Sequence, residues 1–226
     1  MRAVTVSNIM SVDGLYEDSG HNPLVLNMDE AFDAYNLERI RAADIVLLGR
    51  TSFEGFSSYW PAIADAPADP DNRALSADNR ELSRIYNRLL KVVVSDRYSV
   101  PDENAWRDTT TVISRADAAR WLAAECERGS GDILVFGSRT MWNGLLHQSL
   151  IDELHLMVSP NALGTGTPIF DRPGRSQPAR GSPLRQLEQR STPLRRPALT
   201  TPATNCWRVT SGRGPNPTVR QHFLGD

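Results

Sequence analysis

The residues best suited to chemistry are Gly137 and Ser138, which directly follow the apolar run at residues 133–136. Such a run predicts a strand that is buried on both faces of a sheet, and residues 140–146 predict a helix with one apolar face. A glycine and a hydroxyl between a buried strand and a helix present backbone N–H groups that can bind a phosphate. The pattern indicates the pyrophosphate site of a dinucleotide. A plain strand-to-helix turn would look the same, because no complete Gly-x-Gly-x-x-Gly is present.

The same arrangement recurs along the chain, where an apolar run ends at Gly49 and another at Ser95. Strands are predicted over residues 4–9, 45–48, 91–95, 110–113, 133–136 and 151–158, and helices over 29–43, 81–89, 115–128 and 140–146. Turns or loops are predicted over residues 10–14, 61–79 and 160–170. Apolar strands that alternate with helices predict an α/β fold with a mainly parallel sheet, which binds its ligands at the carboxyl ends of the strands.

Composition narrows the class of protein. Hydrophobic residues make up 40% of the 226 residues, and no run of about 18 apolar residues is long enough to span a bilayer. The N-terminus leads directly into a predicted strand without the organisation of a signal peptide, so we expect a cytoplasmic protein. Cys126 and Cys206 lie far apart and lack metal-ligand spacing, which predicts neither a disulfide framework nor a metal site.

The charge divides the chain into two parts. Residues 1–172 contain 16 basic and 25 acidic residues, whereas residues 173–226 contain 9 basic and 2 acidic residues. We therefore predict a folded domain over residues 1–172 and an Arg/Pro-rich tail over residues 173–226. The tail has no period of 2 or 3.6 residues, which predicts disorder, and only residues 206–210 offer a strand. Its arginines lack the interleaved aromatic residues of a specific nucleic-acid binder.

Six short motifs occur in a fixed order within about residues 3–171. They are Ser-Val-Asp-Gly at 11–14, Leu-Leu-Gly-Arg-Thr-Ser-Phe-Glu at 47–54, Val-Val-Ser at 93–95, Phe-Gly-Ser at 136–138, Ile-Asp-Glu-Leu at 151–154 and Leu-Gly-Thr-Gly-Thr-Pro-Ile-Phe at 163–170. Together they resemble the dihydrofolate reductase superfamily, in particular stand-alone bacterial proteins similar to the reductase domain of riboflavin biosynthesis. The resemblance implies a three-layer α/β fold and NADPH as the hydride donor.

The resemblance also implies which residues bind the cofactor. They are Gly49, Arg50, Thr51, Ser95, Gly137, Ser138, Thr140 and Met141. The forked guanidinium of Arg50 suits the 2′-phosphate of NADPH, to which Ser95 could add a hydroxyl donor. Arg97 is a further candidate for the same phosphate. The alternatives are that Arg50 only forms a surface pair, that Ser95 only ends a strand and that Met141 is a core residue.

Two carboxylic acids compete for the role of proton donor, which needs a group with a raised pKa in a cleft. Asp13 lies in the loop that closes over the nicotinamide in the family. Asp33 lies in the first predicted helix, sixteen residues before Gly49, close to where folate-reducing members carry their carboxylate. The alternatives are a turn residue for Asp13 and a solvated helix residue for Asp33. Tyr59 and Trp60 are candidates for the wall of the substrate pocket, or else anchor a lid.

The resemblance implies an NADPH-dependent reductase that acts on a small heterocyclic or carbonyl compound, such as a pteridine or a ribosylaminopyrimidine, and that forms a homodimer. The alternative is an inactive NADP-binding protein with a damaged C-terminal sheet edge. Relatives continue after the Pro-Ile-Phe at 168–170 with strands that complete the sheet, but residues 174–226 contain 7 prolines, which cannot donate to a sheet ladder. One hypothesis is that this tail is an out-of-frame translation, which would leave an open sheet edge.

Overall fold

A computed structural model describes residues 1–67, 69 and 71–171, and the backbone of Asn205–Thr210. The strands are β1 Val4–Ser11, β2 Leu15–Asp18, β3 Ala43–Gly49, β4 Leu90–Val94, β5 Thr110–Ile113, β6 Asp132–Phe136, β7 Glu153–Ser159, β8 Gly166–Pro168 and β9 Asn205–Thr210. The helices are α1 Glu30–Ala42, α2 Arg50–Ile63, α3 Ala77–Arg88, α4 Arg115–Cys126 and α5 Arg139–His147.

Seven strands form one sheet in the order β5-β4-β3-β6-β1-β7-β9. Each neighbouring pair from β5 to β7 is parallel, and only β9 runs antiparallel to its neighbour. The predicted α/β fold with a mainly parallel sheet is confirmed. Parallel neighbours need crossover connections, so the helices that follow the strands begin at the carboxyl edge of the sheet.

Side chains alternate along the strands between two hydrophobic cores. On one face, Val46 and Leu48 of β3 pack with residues of α1, α2 and α3. On the other face, Ile45 and Leu47 pack with residues of α4 and α5. The sheet therefore lies between two layers of helices, which confirms the predicted three-layer arrangement.

Three of the helices begin at a side chain that accepts a hydrogen bond from the helix backbone. Asp29 caps α1 by accepting from the N–H of Phe32 at 3.0 Å. Ser76 caps α3 in the same way, and Ser114 caps α4. Such caps satisfy N–H groups that the helix itself leaves without partners.

The structure differs from the predicted elements at three places. A turn is present at residues 12–14, within the turn predicted over residues 10–14, but Gly166–Pro168, within the loop predicted over residues 160–170, pairs with Leu15–Asp18 as a small antiparallel sheet just beyond that turn. Residues 61–79 were predicted as a loop, but α2 continues through Pro61 to Ile63. Pro61 lies in the last turn of the helix, where the missing N–H removes one bond only. The next helix begins at Ala77 rather than residue 81, because Ser76 caps it.

The sheet edge at β7 is covered by β9. The backbone of Asn205–Thr210 pairs with Val158 through Glu153. The expected open edge is therefore wrong, because these six residues contain no proline and supply a complete ladder. Residues 173–204 and 211–226 lie outside the described residues, so disorder or an out-of-frame origin of the tail stays a prediction. Among the described residues, no helix is long and apolar enough to cross a membrane.

Candidate functional site

Three neighbouring strands bring the predicted cofactor residues to one edge of the sheet. Gly49 at the end of β3 is in register with Val94 at the end of β4, so Arg50 and Ser95 leave the sheet side by side. On the other side of β3, the N–H of Gly49 donates to Ser138 Oγ at 2.9 Å. The residues therefore lie in a row along the carboxyl edge, the position at which open α/β sheets bind ligands.

The first turns of α2 and α5 are joined by two hydrogen bonds in opposite directions. Ser138 Oγ accepts from the N–H of Gly49 at 2.9 Å, while the N–H of Ser138 donates to Ser52 Oγ at 2.8 Å. Ser138 Oγ also donates to the carbonyl oxygen of Phe136 at 3.0 Å. These contacts fix the two helix starts relative to each other.

Gly137 and Ser138 both adopt left-handed backbone conformations, with φ of 54° and 55°. A Cβ atom at Gly137 would lie 3.0 Å from Ser52 Oγ and 3.4 Å from the Tyr16 hydroxyl oxygen, so the backbone here requires glycine. Ser138 adopts this conformation with a side chain, and such strain concentrates at binding and active sites. The Gly137 carbonyl oxygen is held by Asn8 Nδ2 at 3.1 Å.

Neither α2 nor α5 is capped by the side chain of its N-cap residue, in contrast to α1, α3 and α4. Gly49 has no side chain to offer, and the Ser138 hydroxyl makes the contacts described above. Thr51 and Thr140, in the first turns, are exposed. Two neighbouring helix N-termini with exposed hydroxyls and without side-chain caps fit a pyrophosphate, because backbone N–H groups and helix dipoles favour an anion there.

Arg50 begins α2 with a side chain that is 56% exposed. Its Nε atom donates to Glu54 Oε1 at 2.9 Å, and the guanidinium carbon lies 5.5 Å from the centre of the Tyr98 ring. Ser95 is half-buried beside this group, and Arg97 is exposed. Arg50 is thus paired, as the surface alternative expected, and it also lies at the edge where a 2′-phosphate could bind.

Asp13 connects two loops. Its carboxylate accepts hydrogen bonds from the N–H groups of Gly164 at 2.7 Å and Leu163 at 3.2 Å. A hydrogen bond from Ser11 and these backbone bonds lower the pKa of Asp13 to about 2. Asp13 is therefore ionised at neutral pH, which is unfavourable for a proton donor.

Asp33 is buried in the first turn of α1, the turn that lies at the carboxyl edge of the sheet. Its Oδ2 atom accepts from Arg73 Nη1 at 2.7 Å and from Asn79 Nδ2 at 3.0 Å. Burial raises the pKa of Asp33 to about 6, although Arg73 and Asn79 act in the opposite direction. Asp33 is therefore a buried acid that exchanges a proton close to neutral pH, and the solvated alternative does not describe it.

The remaining candidates are divided between the site and the core. Tyr59 is 45% exposed. Burial raises the pKa of its hydroxyl, and the nearby charge of Asp33 raises it further. Trp60 instead packs on the aromatic core, with its ring centre 6.3 Å from that of Tyr86. Met141 packs against the other core and lies next to Gly49. A Cβ atom added at Gly49 would lie 3.8 Å from Met141 Cβ.

Sequence reasoning missed several residues that build this site. Ser52 lies within the motif at 47–54, and its hydroxyl oxygen accepts the Ser138 N–H, a contact that the motif does not indicate. Tyr16 is mostly buried, which raises the pKa of its hydroxyl to about 12, and it reaches Gly137 from a strand that was not predicted. Arg73 lies 40 residues from Asp33, in a segment that was predicted as a loop. The contact between Arg50 and Glu54, by contrast, has a local signal in the sequence, because residues four apart lie on the same face of a helix.

The sequence profile of the family described as "RibD C-terminal domain" matches residues 2–193 of this chain. The match begins two residues before the first strand and continues beyond residue 172. Among curated proteins, the uncharacterized protein YyaP of Bacillus subtilis (strain 168) is 22% identical over 171 residues, which covers 75% of this chain and 80% of that protein.

Similar solved structures include a putative riboflavin biosynthesis protein from Shewanella sp. PV-4, with a TM-score of 0.57 and 18% identity over 93% of this chain and 99% of that one. RibD from Acinetobacter baumannii gives a TM-score of 0.60 and 16% identity over 93% of this chain and 58% of that one. At these identities the structures show a shared fold.

Proposed function

This chain belongs to the RibD C-terminal domain family, and on that premise we propose that it is an NADPH-dependent reductase that transfers a hydride to a small heterocyclic or carbonyl substrate. One observation carries the proposal: Ser95, Arg50 and Ser138 follow three neighbouring strands at the carboxyl edge of the sheet. A 2′-phosphorylated dinucleotide needs a cation and an anion-binding backbone in such an arrangement.

In this proposal, the N-termini of α2 and α5 hold the pyrophosphate. Gly49, Thr51, Gly137, Ser138 and Thr140 would contribute N–H groups and hydroxyls, and Met141 would lie beside them. Arg50 and Ser95 would bind the 2′-phosphate. The two hydrogen bonds between the first turns of α2 and α5 keep these donors in place before the cofactor binds, which reduces the entropy lost on binding.

Bound NADPH supplies the hydride, and the chain must position the substrate and provide a proton. We assign the proton to Asp33 rather than Asp13, because a donor needs a pKa close to the working pH. The pKa of Asp33 is raised to about 6, whereas that of Asp13 is lowered to about 2. Arg73 and Asn79 hold the Asp33 carboxyl in one orientation, and Tyr59 lies close enough to line the substrate pocket.

For the substrate we propose a pteridine or a ribosylaminopyrimidine. Reduction of 5-amino-6-(5-phosphoribosylamino)uracil is one such reaction, and a Thermotoga maritima protein whose name includes that reductase shares the fold, with a TM-score of 0.58 and 12% identity over 92% of this chain and 56% of that one. The homodimer and the cytoplasmic location expected from the sequence stay predictions.

Two measurements on the purified chain test the proposal. Calorimetric titration with NADPH should give a saturable binding heat, and mixing the chain and NADPH with a panel of pteridines, pyrimidines and carbonyl compounds should consume the reduced nicotinamide with at least one of them. Binding without consumption across the panel would favour the alternative of an inactive NADP-binding protein. Absence of binding would refute both functions.

A further inference from the structure

We propose that Glu54 sets the coenzyme preference of the site. It neutralises the charge of Arg50 and so allows the site to bind either NADH or NADPH. The inference rests on the proposed function, since it concerns the same cofactor site. It assigns a role to a residue that neither the phosphate contacts nor the proton transfer uses.

The contact between the two side chains is direct. Glu54 lies one helical turn after Arg50, and its Oε1 atom accepts from Arg50 Nε at 2.9 Å. Both side chains are about half exposed, at 56% for Arg50 and 42% for Glu54. The carboxylate therefore lies on the Nε side of the guanidinium and leaves the terminal nitrogens as donors for a ligand.

Tyr98 limits the movement of the pair. The guanidinium carbon of Arg50 lies 5.5 Å from the centre of the Tyr98 ring, within the range of a cation–π contact. Burial raises the pKa of the Tyr98 hydroxyl, the charge of Glu54 raises it further and that of Arg50 lowers it, so both charges lie close to this ring. The ring and the carboxylate together hold Arg50 in one place at the edge of the sheet.

The pair combines the two groups that dinucleotide sites use to distinguish coenzymes. An arginine accommodates the 2′-phosphate of NADPH, whereas a carboxylate accepts a hydrogen bond from the ribose 2′-hydroxyl of NADH. A phosphate that binds Arg50 must do so beside the negative charge of Glu54, which weakens NADPH binding. A 2′-hydroxyl meets no such repulsion and gains an acceptor. The wild-type site should therefore bind both coenzymes, with only a moderate preference for NADPH.

The test measures the dissociation constants of NADPH and NADH by calorimetry for the wild-type chain and for Glu54→Gln. Glutamine keeps the length of the side chain but removes its charge. We expect the ratio of the NADH constant to the NADPH constant to rise about fivefold, which corresponds to about 1 kcal/mol for one exposed charge. Tighter NADPH binding should account for most of the change.

Glu81→Gln is the matched control. Glu81 pairs with Arg41 at 2.7 Å, and the exposures of 43% and 53% closely match those of the Glu54 pair, but this pair joins α3 to α1 rather than lying at the strand ends. The control should leave the ratio unchanged. If Glu54→Gln also leaves it unchanged while the wild type binds NADPH, the inference is refuted and the proposed function stands. If the wild type binds neither coenzyme, both are refuted.

Discussion

The backbone N–H of Ser138 donates to the side-chain oxygen of Ser52 at 2.8 Å. This bond links the left-handed residue at the start of α5 to the first turn of α2, across 86 residues of sequence. Together with the bond from the Gly49 N–H to Ser138 Oγ, it joins the two helix N-termini at the proposed anion site, and it can be removed without changing either strand end.

Ser52→Ala should reduce the free energy of unfolding by about 1 kcal/mol, because one partly buried N–H loses its acceptor. It should also weaken NADPH binding, since the Ser138 N–H loses one of the contacts that hold Ser138 in place. Denaturant unfolding and calorimetry measure the two effects. Ser58→Ala is the control, because that hydroxyl lies on the exposed side of the same helix and donates to the Gly55 carbonyl oxygen of its own helix. Equal behaviour of the two variants would contradict the assigned role of Ser52.

Alanine substitutions at two glycines, one just before α5 and one inside it, should change the free energy of unfolding in opposite directions. Gly137→Ala should destabilise the fold by at least about 1 kcal/mol, because φ is 54° and the new Cβ would lie 3.0 Å from Ser52 Oγ. Gly144→Ala lies inside α5, and among the described residues no atom beyond the adjacent helix backbone lies within 4 Å of the new Cβ, so the change should stabilise the fold by about 0.5–1 kcal/mol. Thermal unfolding of both variants measures the difference. Destabilisation of similar size in both would show that the left-handed turn is not what Gly137 is needed for.

The single lysine, Lys91, should make stability rise with pH. Its side chain is buried against Trp106, and burial lowers its pKa to about 7 from the ordinary 10.5. Between these values the unfolded chain binds a proton that the folded chain does not, so the free energy of unfolding rises by up to about 1.4 kcal/mol per pH unit. Lys91→Met should lack this slope between pH 7 and 9, and denaturant unfolding of both proteins provides the comparison. Parallel pH profiles would contradict the lowered pKa.

Asp33 should have the opposite effect at lower pH. Its pKa is raised from 3.8 to about 6, so its contribution to stability is full below about pH 4 and is lost as the pH rises through 6. Asp33→Asn should remove this loss, whereas Arg73→Met should move it to higher pH, because the guanidinium is the main group that lowers the Asp33 pKa. Unfolding between pH 4 and 8 measures both variants. A wild-type profile that Arg73→Met does not shift would contradict the assigned contact.

The sheet could be predicted from the sequence because its strands carry uninterrupted apolar runs. Residues 45–48, 91–95 and 133–136 each follow or precede a helix, and such runs require burial on both faces. The helix predicted over residues 29–43 is confirmed as α1, and the structure adds that the Asp29 side chain caps it. The glycines and hydroxyls at the strand ends then placed the candidate cofactor residues on one edge.

The rest depends on contacts between distant parts of the chain. Leu15–Asp18 forms a strand only because Gly166–Pro168 pairs with it, and a four-residue segment gives no clear period. Burial raises the pKa of Asp33, and the contact with Arg73, which lies 40 residues away in the sequence, lowers it. Local propensity cannot reveal either contact, since each joins segments that lie far apart in the sequence.

The most direct test of the account compares NADPH and NADH binding to Arg50→Ala, with Arg41→Ala as the control. Arg41 is similarly exposed and also pairs with a glutamate, but it lies on α1. Calorimetry should show that Arg50→Ala weakens NADPH binding by about tenfold or more and changes NADH binding little, because only the 2′-phosphate loses its cation. Arg41→Ala should leave both constants unchanged. Equal weakening of both coenzymes by Arg50→Ala, or no binding of NADPH to the wild-type chain, would contradict the account.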